Sequence, residues 1–293
     1  MSGIPHKTHK PQRPGETSIE EIILGNDRRG ISALRGSLPA DYCADAARYV
    51  LDRPGTVLIG TGFYILSGAA VETDGPPGAV AIGTALEALG RRVVYVTDAH
   101  GADVMRAVAG PGAPVVEFPV AGPDESVRAA KAILAEYEPS LLIGIERCAP
   151  DAEDVYRNMR SIDITPHTAR VDRLFDLHEA SVGIGDGGNE IGMGLLASEI
   201  ASVASLPDAP AVTRTAKLVI ASLSNWGAWG LLVAMSQIEG RDLLPTLHDE
   251  SERVQRCVKA GAVDGFSGER SAKVDGFELD DYLRPLAALR ALL

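Results

Sequence analysis

From Pro54-Gly55 onward, short β-rich runs alternate with amphipathic stretches of helix length. The runs are Thr56 to Gly60, Arg92 to Thr97, Pro114 to Phe118, Ser140 to Ile145, Ala180 to Ile184 and Ala216 to Ala221. Intervals such as Ala79 to Leu89 and Glu125 to Tyr137 are long enough to be crossover helices. Parallel strands need such crossovers and hairpins do not. The alternation therefore predicts an α/β fold: a doubly wound, mostly parallel sheet in a Rossmann-like three-layer arrangement.

The flanking segments read differently. Ser18-Ile-Glu-Glu21 has capping-box spacing ahead of Ile22, Ile23 and Leu24, which predicts a short helix before the turn Asn26-Asp-Arg-Arg-Gly30. A second helix is expected over Asp41 to Leu51. The interval from Cys148 to Glu179 is longer than a simple crossover and holds Pro150, Pro166 and several arginines. An extra helix pair, or an inserted helical cap over the strand edge, is expected across 148–179. Near the end, Val263-Asp-Gly265 and Val274-Asp-Gly276 are turns, followed by a helix with Tyr282, Leu286, Leu289 and Leu293 on one face. That face should pack on the body or on a second subunit. Residues 1–17, rich in Pro, Lys, His and Arg, read as a mobile tail ahead of a single α/β domain over 18–293.

With 293 residues, of which 45% are hydrophobic, the chain can bury a full core. Its net charge of −12, with basic residues scattered, leaves no surface for neutralising phosphates, so nucleic acid is not an expected partner. The longest apolar runs, such as Leu141 to Ile145, are strand-sized, and no membrane span is expected. Cys43, Cys148 and Cys257 form no CxxC pair, which argues against a disulfide framework or zinc cluster and fits a reducing cytoplasm.

In a parallel sheet every strand delivers its C-terminal end to one edge, so residues just past those ends converge in space. Here those positions are rich in glycine and carboxylate. Gly60-Thr61-Gly62 follows the first run, with Glu72-Thr-Asp74-Gly-Pro-Pro-Gly78 beyond it. Asp98 ends the second run, Glu146-Arg147 the fourth, and Asp186-Gly187-Gly188-Asn189-Glu190 the fifth; Ser222 to Asn225 follows the last. Carboxylates gathered at one edge repel one another unless a metal ion, a substrate ammonium or a shared proton lies among them. Helix N-termini expected near Pro76 and Asn189 would suit an anionic group, so an amphoteric small molecule fits the edge.

Each residue also has an ordinary reading. Asp74, Asp98 and Asn189 could be helix N-caps, and Asp186 a turn former. Arg147, Arg157 and Arg160 could grip a carboxylate or be solvated. Cys148 could be a nucleophile, though a packed thiol requires less of its surroundings. Gly183, Gly185 and Gly188 match GxGxxG, but no acid follows at dinucleotide-binding spacing. A nicotinamide enzyme is thus an alternative, as is a nonenzymatic amino-acid or metabolite-binding protein.

Taken together, Asn26 to Gly30, Gly60-Thr-Gly-Phe63, Glu72 to Gly78, Val96-Thr-Asp98, Ile145-Glu-Arg147, Tyr156-Arg-Asn-Met-Arg160 and Gly183 to Gly194 resemble the C-terminal domain of the D-glutamate cyclase family. The resemblance runs from about Ser18 to beyond Gly240. It implies a carbon-oxygen hydro-lyase that dehydrates D-glutamate to 5-oxo-D-proline. Glu146, Asp186 and Glu190 would be catalytic, with Glu146 or Asp186 as base. Glu72, Asp74 and Asp98 would hold the ammonium or a metal, magnesium or manganese by their oxygen chemistry, and no organic cofactor is expected. Gly60, Thr61, Gly62, Arg147, Arg160, Gly187, Gly188, Asn189 and Asn225 would bind an amino-acid substrate, with an Asn189 helix terminus on one carboxylate and Arg147 or Arg160 on the other. The family's animal enzyme is longer, so a separate partner domain or a homo-oligomer belongs to the same expectation.

Overall fold

A computed structural model describes residues 17–293; apart from Thr17, the tail expected over 1–17 lies outside the described residues. The elements in chain order are α1 (Ile19–Ile23), α2 (Tyr42–Leu51), β1 (Thr56–Thr61), the ribbon β2 (Tyr64–Ile65) and β3 (Ala70–Val71), and α3 (Pro76–Ala88). Then come β4 (Arg92–Thr97), α4 (Ala102–Ala109), β5 (Val115–Glu117), α5 (Pro123–Tyr137), β6 (Leu141–Ile145), α6 (Asp172–Asp176), β7 (Ser181–Gly185) and α7 (Ala197–Ile200). The chain closes with β8 (Lys217–Ile220), α8 (Ser224–Glu239), α9 (Leu247–Lys259), the ribbon β9 (Lys273–Val274) and β10 (Phe277–Glu278), and α10 (Leu279–Arg290). The capping box at Ser18 forms as its spacing predicts, each partner accepting the other's backbone N–H.

The main sheet is 6-stranded, in the order β5-β4-β1-β6-β7-β8, and every pairing is parallel. With helices on the sheet, this is the three-layer α/β fold that the alternation predicts. Chain order reverses between β1 and β6, which pair from Val57↔Leu141 to Thr61↔Ile145. Crossovers leave these two strands in opposite directions, which opens a crevice beyond their C-terminal ends.

β6 and β7 are buried along their whole lengths, which explains their unbroken apolar sequences. α8 is buried from Ser224 to Ser236 and packs against α2 and α3. A helix apolar all round belongs in a core, and its start is thereby fixed at the crevice. One hydrophobic cluster reaches from Ile19 to Leu289. Tyr282, Leu286 and Leu289 of α10 face into it, whereas Leu293, expected on the same face, lies past the helix and is 51% exposed.

The inserted segment between β6 and β7 is not the expected helix pair. It has a single 3₁₀ turn at Thr165–His167, the short α6, and bridges joining Pro150 to Tyr156 and Arg157 to Asp163. Side chains explain why. Asp151 accepts the N–H groups of Glu153 and Val155, Asn158 those of Arg160 and Ile162, and Asp163 that of Thr165. Such local acceptors hold turns in place of helix. The segment still covers the sheet: Val171 and Phe175 fill the space over Gly60 and Gly144. Among the described residues no helix is long and apolar enough to cross a membrane.

Candidate active site

Three carboxylates meet beyond the strand ends at the order reversal. Glu146 follows β6, Asp186 follows β7, and Asp74 lies between β3 and α3. One carboxylate oxygen from each lies within 4.8 Å of the others, and all three residues are buried. Glu146 has φ 42, a left-handed conformation that costs a non-glycine residue of order 1 kcal/mol or more and clusters at functional sites.

Asp74 is placed by the start of α8. Its carboxylate accepts the backbone N–H groups of Ser224 and Asn225, each at 2.8 Å, where the helix dipole favours an anion. The Asn225 side chain then fixes the approaching loop: its oxygen accepts N–H from Gly75 and Gly78, and its nitrogen donates to the Thr73 carbonyl. Gly75 has φ 96, and a Cβ there would fall 2.7 Å from both the Glu146 Cβ and the Thr61 hydroxyl oxygen, so only glycine lets the loop lie this close. The Ser224 hydroxyl donates to Glu146.

Charges from the two ends of the described chain surround these acids. Arg29 donates to Asp186 at 2.7 Å and to Asp275 at 2.5 Å. Glu72 lies close to Asp275: a Cβ on Gly265 would be 1.9 Å from Glu72 Oε2 and 2.7 Å from Asp275 Oδ1. One Asp275 oxygen is buried without a partner.

Burial pushes these carboxyls up, and they push one another further. Asp74 is raised to about 7 by burial and by Asp275, against the lowering effect of the α8 N–H groups. Glu146 is raised well above the usual range by burial and by Glu190, Glu72 and Asp74. Burial does the same to Asp186, with Arg29 opposing. Burial and Asp275 do the same to Glu72. The cluster holds more carboxyl groups than Arg29 alone can offset if all are ionised.

Several expected roles change. Asp98 is not among the converging carboxylates: it pairs with Arg147 at 2.6 Å and accepts the His100 N–H. Arg147, 1% exposed, also donates to the carbonyls of Gly62 and Ala169, so it holds strand ends together and is not placed to clamp a ligand. Arg160 lies on an exposed turn of the inserted segment. No helix starts at Asn189, whose side chain donates to the Arg157 carbonyl. Nor does the α3 terminus offer N–H groups, since Pro76 and Pro77 lack them and that of Gly78 is taken by Asn225.

Glu190 accepts the N–H groups of Asp186, Gly187 and Gly188. Its carboxylate thus fills the cradle that a GxGxxG loop would present to a pyrophosphate, and Gly187 and Gly188 have no N–H left for substrate. Thr61 keeps a buried hydroxyl without a partner beside Glu146. Cys148 is a packed thiol, its pKa raised by burial. Sequence reasoning missed Arg29, Asp275 and Ser224. The first two sit in turns that were legible, Asn26 to Gly30 and Val274 to Gly276, but neither turn follows a strand of the main sheet. A cavity of ≈ 500 Å³ lined by Asp151, Arg157, Ala197, Pro210 and Val212 shares no residue with the carboxylate site.

Asp74, Glu146 and Asp186 offer an all-oxygen, acidic donor set that could hold a hard divalent cation. Fold and site together define a three-layer α/β protein that gathers buried carboxylates where the strand order of a parallel sheet reverses. The chain belongs to the D-glutamate cyclase-like family, whose C-terminal domain it matches over residues 19–290, as its motifs imply. It is 30% identical over 260 residues to human mitochondrial D-glutamate cyclase, covering 79% of this chain and 42% of that protein. The chain therefore spans less than half the length of that relative. An exopolyphosphatase-related protein from Bacteroides fragilis aligns with a TM-score of 0.43 at 10% identity, over 87% of this chain and 57% of that one.

Proposed function

We propose that this chain is a lyase that closes D-glutamate to 5-oxo-D-proline. The observation that carries the reading is the buried, under-compensated set Asp74, Glu146 and Asp186 in a member of this family. A substrate ammonium supplies the missing positive charge there. In the reaction the amine nitrogen bonds to the side-chain carboxyl carbon and a carbon–oxygen bond breaks. The two protons given up by the ammonium leave with the departing oxygen as water.

The neighbours of the two central acids divide this work. Asp186, against the Arg29 guanidinium, is the more readily ionised and takes a proton from the ammonium. Glu146 is surrounded by Glu190, Glu72 and Asp74 and accepts the Ser224 hydroxyl, so it holds a proton for the leaving oxygen. Holding the substrate folded supplies much of the acceleration, because the attack is intramolecular. The same three oxygens fit magnesium or manganese; an ion bound there would offset charge on the attacked carboxyl, and the proton transfers would fall to Glu72 with Asp275.

Proton NMR of the purified chain with D-glutamate and with L-glutamate, with and without manganese, tests the reading. Growth of 5-oxoproline signals from D-glutamate is expected; no product under any condition overturns it. Turnover unchanged after thorough chelation removes the metal from the reaction.

A further inference from the structure

A dicarboxylic substrate faces a physical difficulty at this site. The ammonium is welcome among Asp74, Glu146 and Asp186, but the substrate's own carboxylates enter a region already crowded with negative charge. They need a cation. Arg147 is enclosed and bonded to Asp98, Gly62 and Ala169. Arg157 is paired with Asp151 and Glu153, and the Arg28 guanidinium lies 3.6 Å from the Phe277 ring centre and bonds the Asp275 carbonyl. Among the described residues Arg29 is the cation paired with one of the three carboxylates, Asp186, and it pairs with Asp275 beside them.

Arg29 also reaches solvent where its partners do not. Its side chain is 26% exposed, against 2% for Asp186 and 6% for Asp275. Its backbone is fixed by Asp27, whose carboxylate accepts N–H from Arg29, Gly30 and Ser32. The turn is preformed, while the side chain ends in a planar fork suited to a carboxylate.

We propose that Arg29 is the specificity-determining residue of the site and binds the α-carboxylate of an acidic amino acid. This rests on the proposed reaction. The guanidinium rotates from Asp186 and Asp275 to the ligand, and the incoming ammonium takes its place beside Asp186. One cation replaces another there, so Asp186 keeps a positive neighbour while the ligand binds. The α-carboxylate is the group assigned because it shares a carbon with the amine, and Arg29 lies 2.7 Å from the acid that receives that amine's proton. Ligands lacking an α-carboxylate leave Arg29 on Asp186, in the place that their ammonium would take.

The test compares D-glutamate with its α-carboxamide on the wild-type chain, Arg29→Met and Arg29→Lys. The wild type should prefer D-glutamate roughly 100-fold in kcat/KM, the scale on which one partner of a buried charge pair is lost. Arg29→Met should bring the two substrates to within a few-fold of each other, chiefly by raising KM for D-glutamate. Arg29→Lys, which keeps the charge and guards against a folding defect, should fall between. An unchanged preference in Arg29→Met with D-glutamate turnover intact overturns the role of Arg29 and leaves the reaction standing. D-Glutamate bound without turnover overturns the reaction, and the same preference read as affinities by calorimetry then decides Arg29. Binding of neither compound by the wild type overturns both.

Discussion

Two sets of buried acids lie at the same sheet edge and differ in what surrounds them. Asp98 meets the Arg147 guanidinium, which also ties the carbonyls of Gly62 and Ala169, so one arginine joins the ends of β1 and β4 to the inserted segment. Asp74, Glu146 and Asp186 each bring an oxygen within 4.8 Å of the others, and the one guanidinium beside them, Arg29, divides between Asp186 and Asp275. Both sets are carboxylates after strands, and the sequence makes them look alike. The difference is compensation: an acid with its own buried cation is committed to the fold, and a group of acids with too few cations awaits one. A buried charge is tolerated only when paired or neutralised, so the second set is where a ligand or proton must act.

The sharpest way to break the comparison is Arg147→Met. It leaves Asp98 buried without its cation and takes a donor from the Gly62 carbonyl, and stability should fall by about 3–5 kcal/mol in urea unfolding. A loss below about 1 kcal/mol, within the range of a surface pair, would mean that Asp98 is not held by Arg147 and belongs with the reactive acids.

Glu146→Gln is the complementary change. It removes one of several mutually repelling acids at nearly constant shape, and the Ser224 hydroxyl can still donate to the new amide oxygen. Turnover of D-glutamate should fall roughly 100-fold or more, the usual contribution of a positioned acid or base, while the urea midpoint holds or rises. Normal turnover would take Glu146 out of the chemistry, and a large loss of stability would move it into the structural set with Asp98.

How far this division was legible in the sequence follows from its physics. Strand–helix alternation specified the parallel sheet, and strand-end position put Asp74, Glu146 and Asp186 among the acids expected to converge, as they do. It could not separate them from Asp98, because the distinction rests on Arg147, an adjacent residue whose side chain turns inward to two carbonyls. Arg29 and Asp275 arrive from turns near opposite ends of the chain, and nothing local says that the main sheet brings them together. Glu190 shows the same limit: beside Gly187 and Gly188 it reads as a reactive acid, yet its carboxylate closes its own loop. The inserted segment was expected as helices because its length was legible, but the Asp and Asn side chains that hold its turns act through backbone contacts that periodicity does not report.

The smallest expected effect follows from adding a divalent cation, and it should sharpen with pH. Asp74 is raised from 3.8 to about 7. A carboxyl with a raised folded-state pKa binds more protons folded than unfolded between those two values, so the cation-free protein should lose stability as pH climbs through that window. A cation that replaces the proton offsets the loss only where the proton is ready to leave. Manganese at about ten times its dissociation constant should therefore add about 1.4 kcal/mol at pH 8 and much less at pH 5.5, read as a shift in thermal unfolding. Glu146→Gln should shrink the shift, because one ligand oxygen loses its charge, whereas exposed acids outside the site should leave it untouched. A shift of equal size at both pH values, or one that survives Glu146→Gln, would place the ion elsewhere on this acidic chain and leave ammonium as the cation that Asp74, Glu146 and Asp186 await.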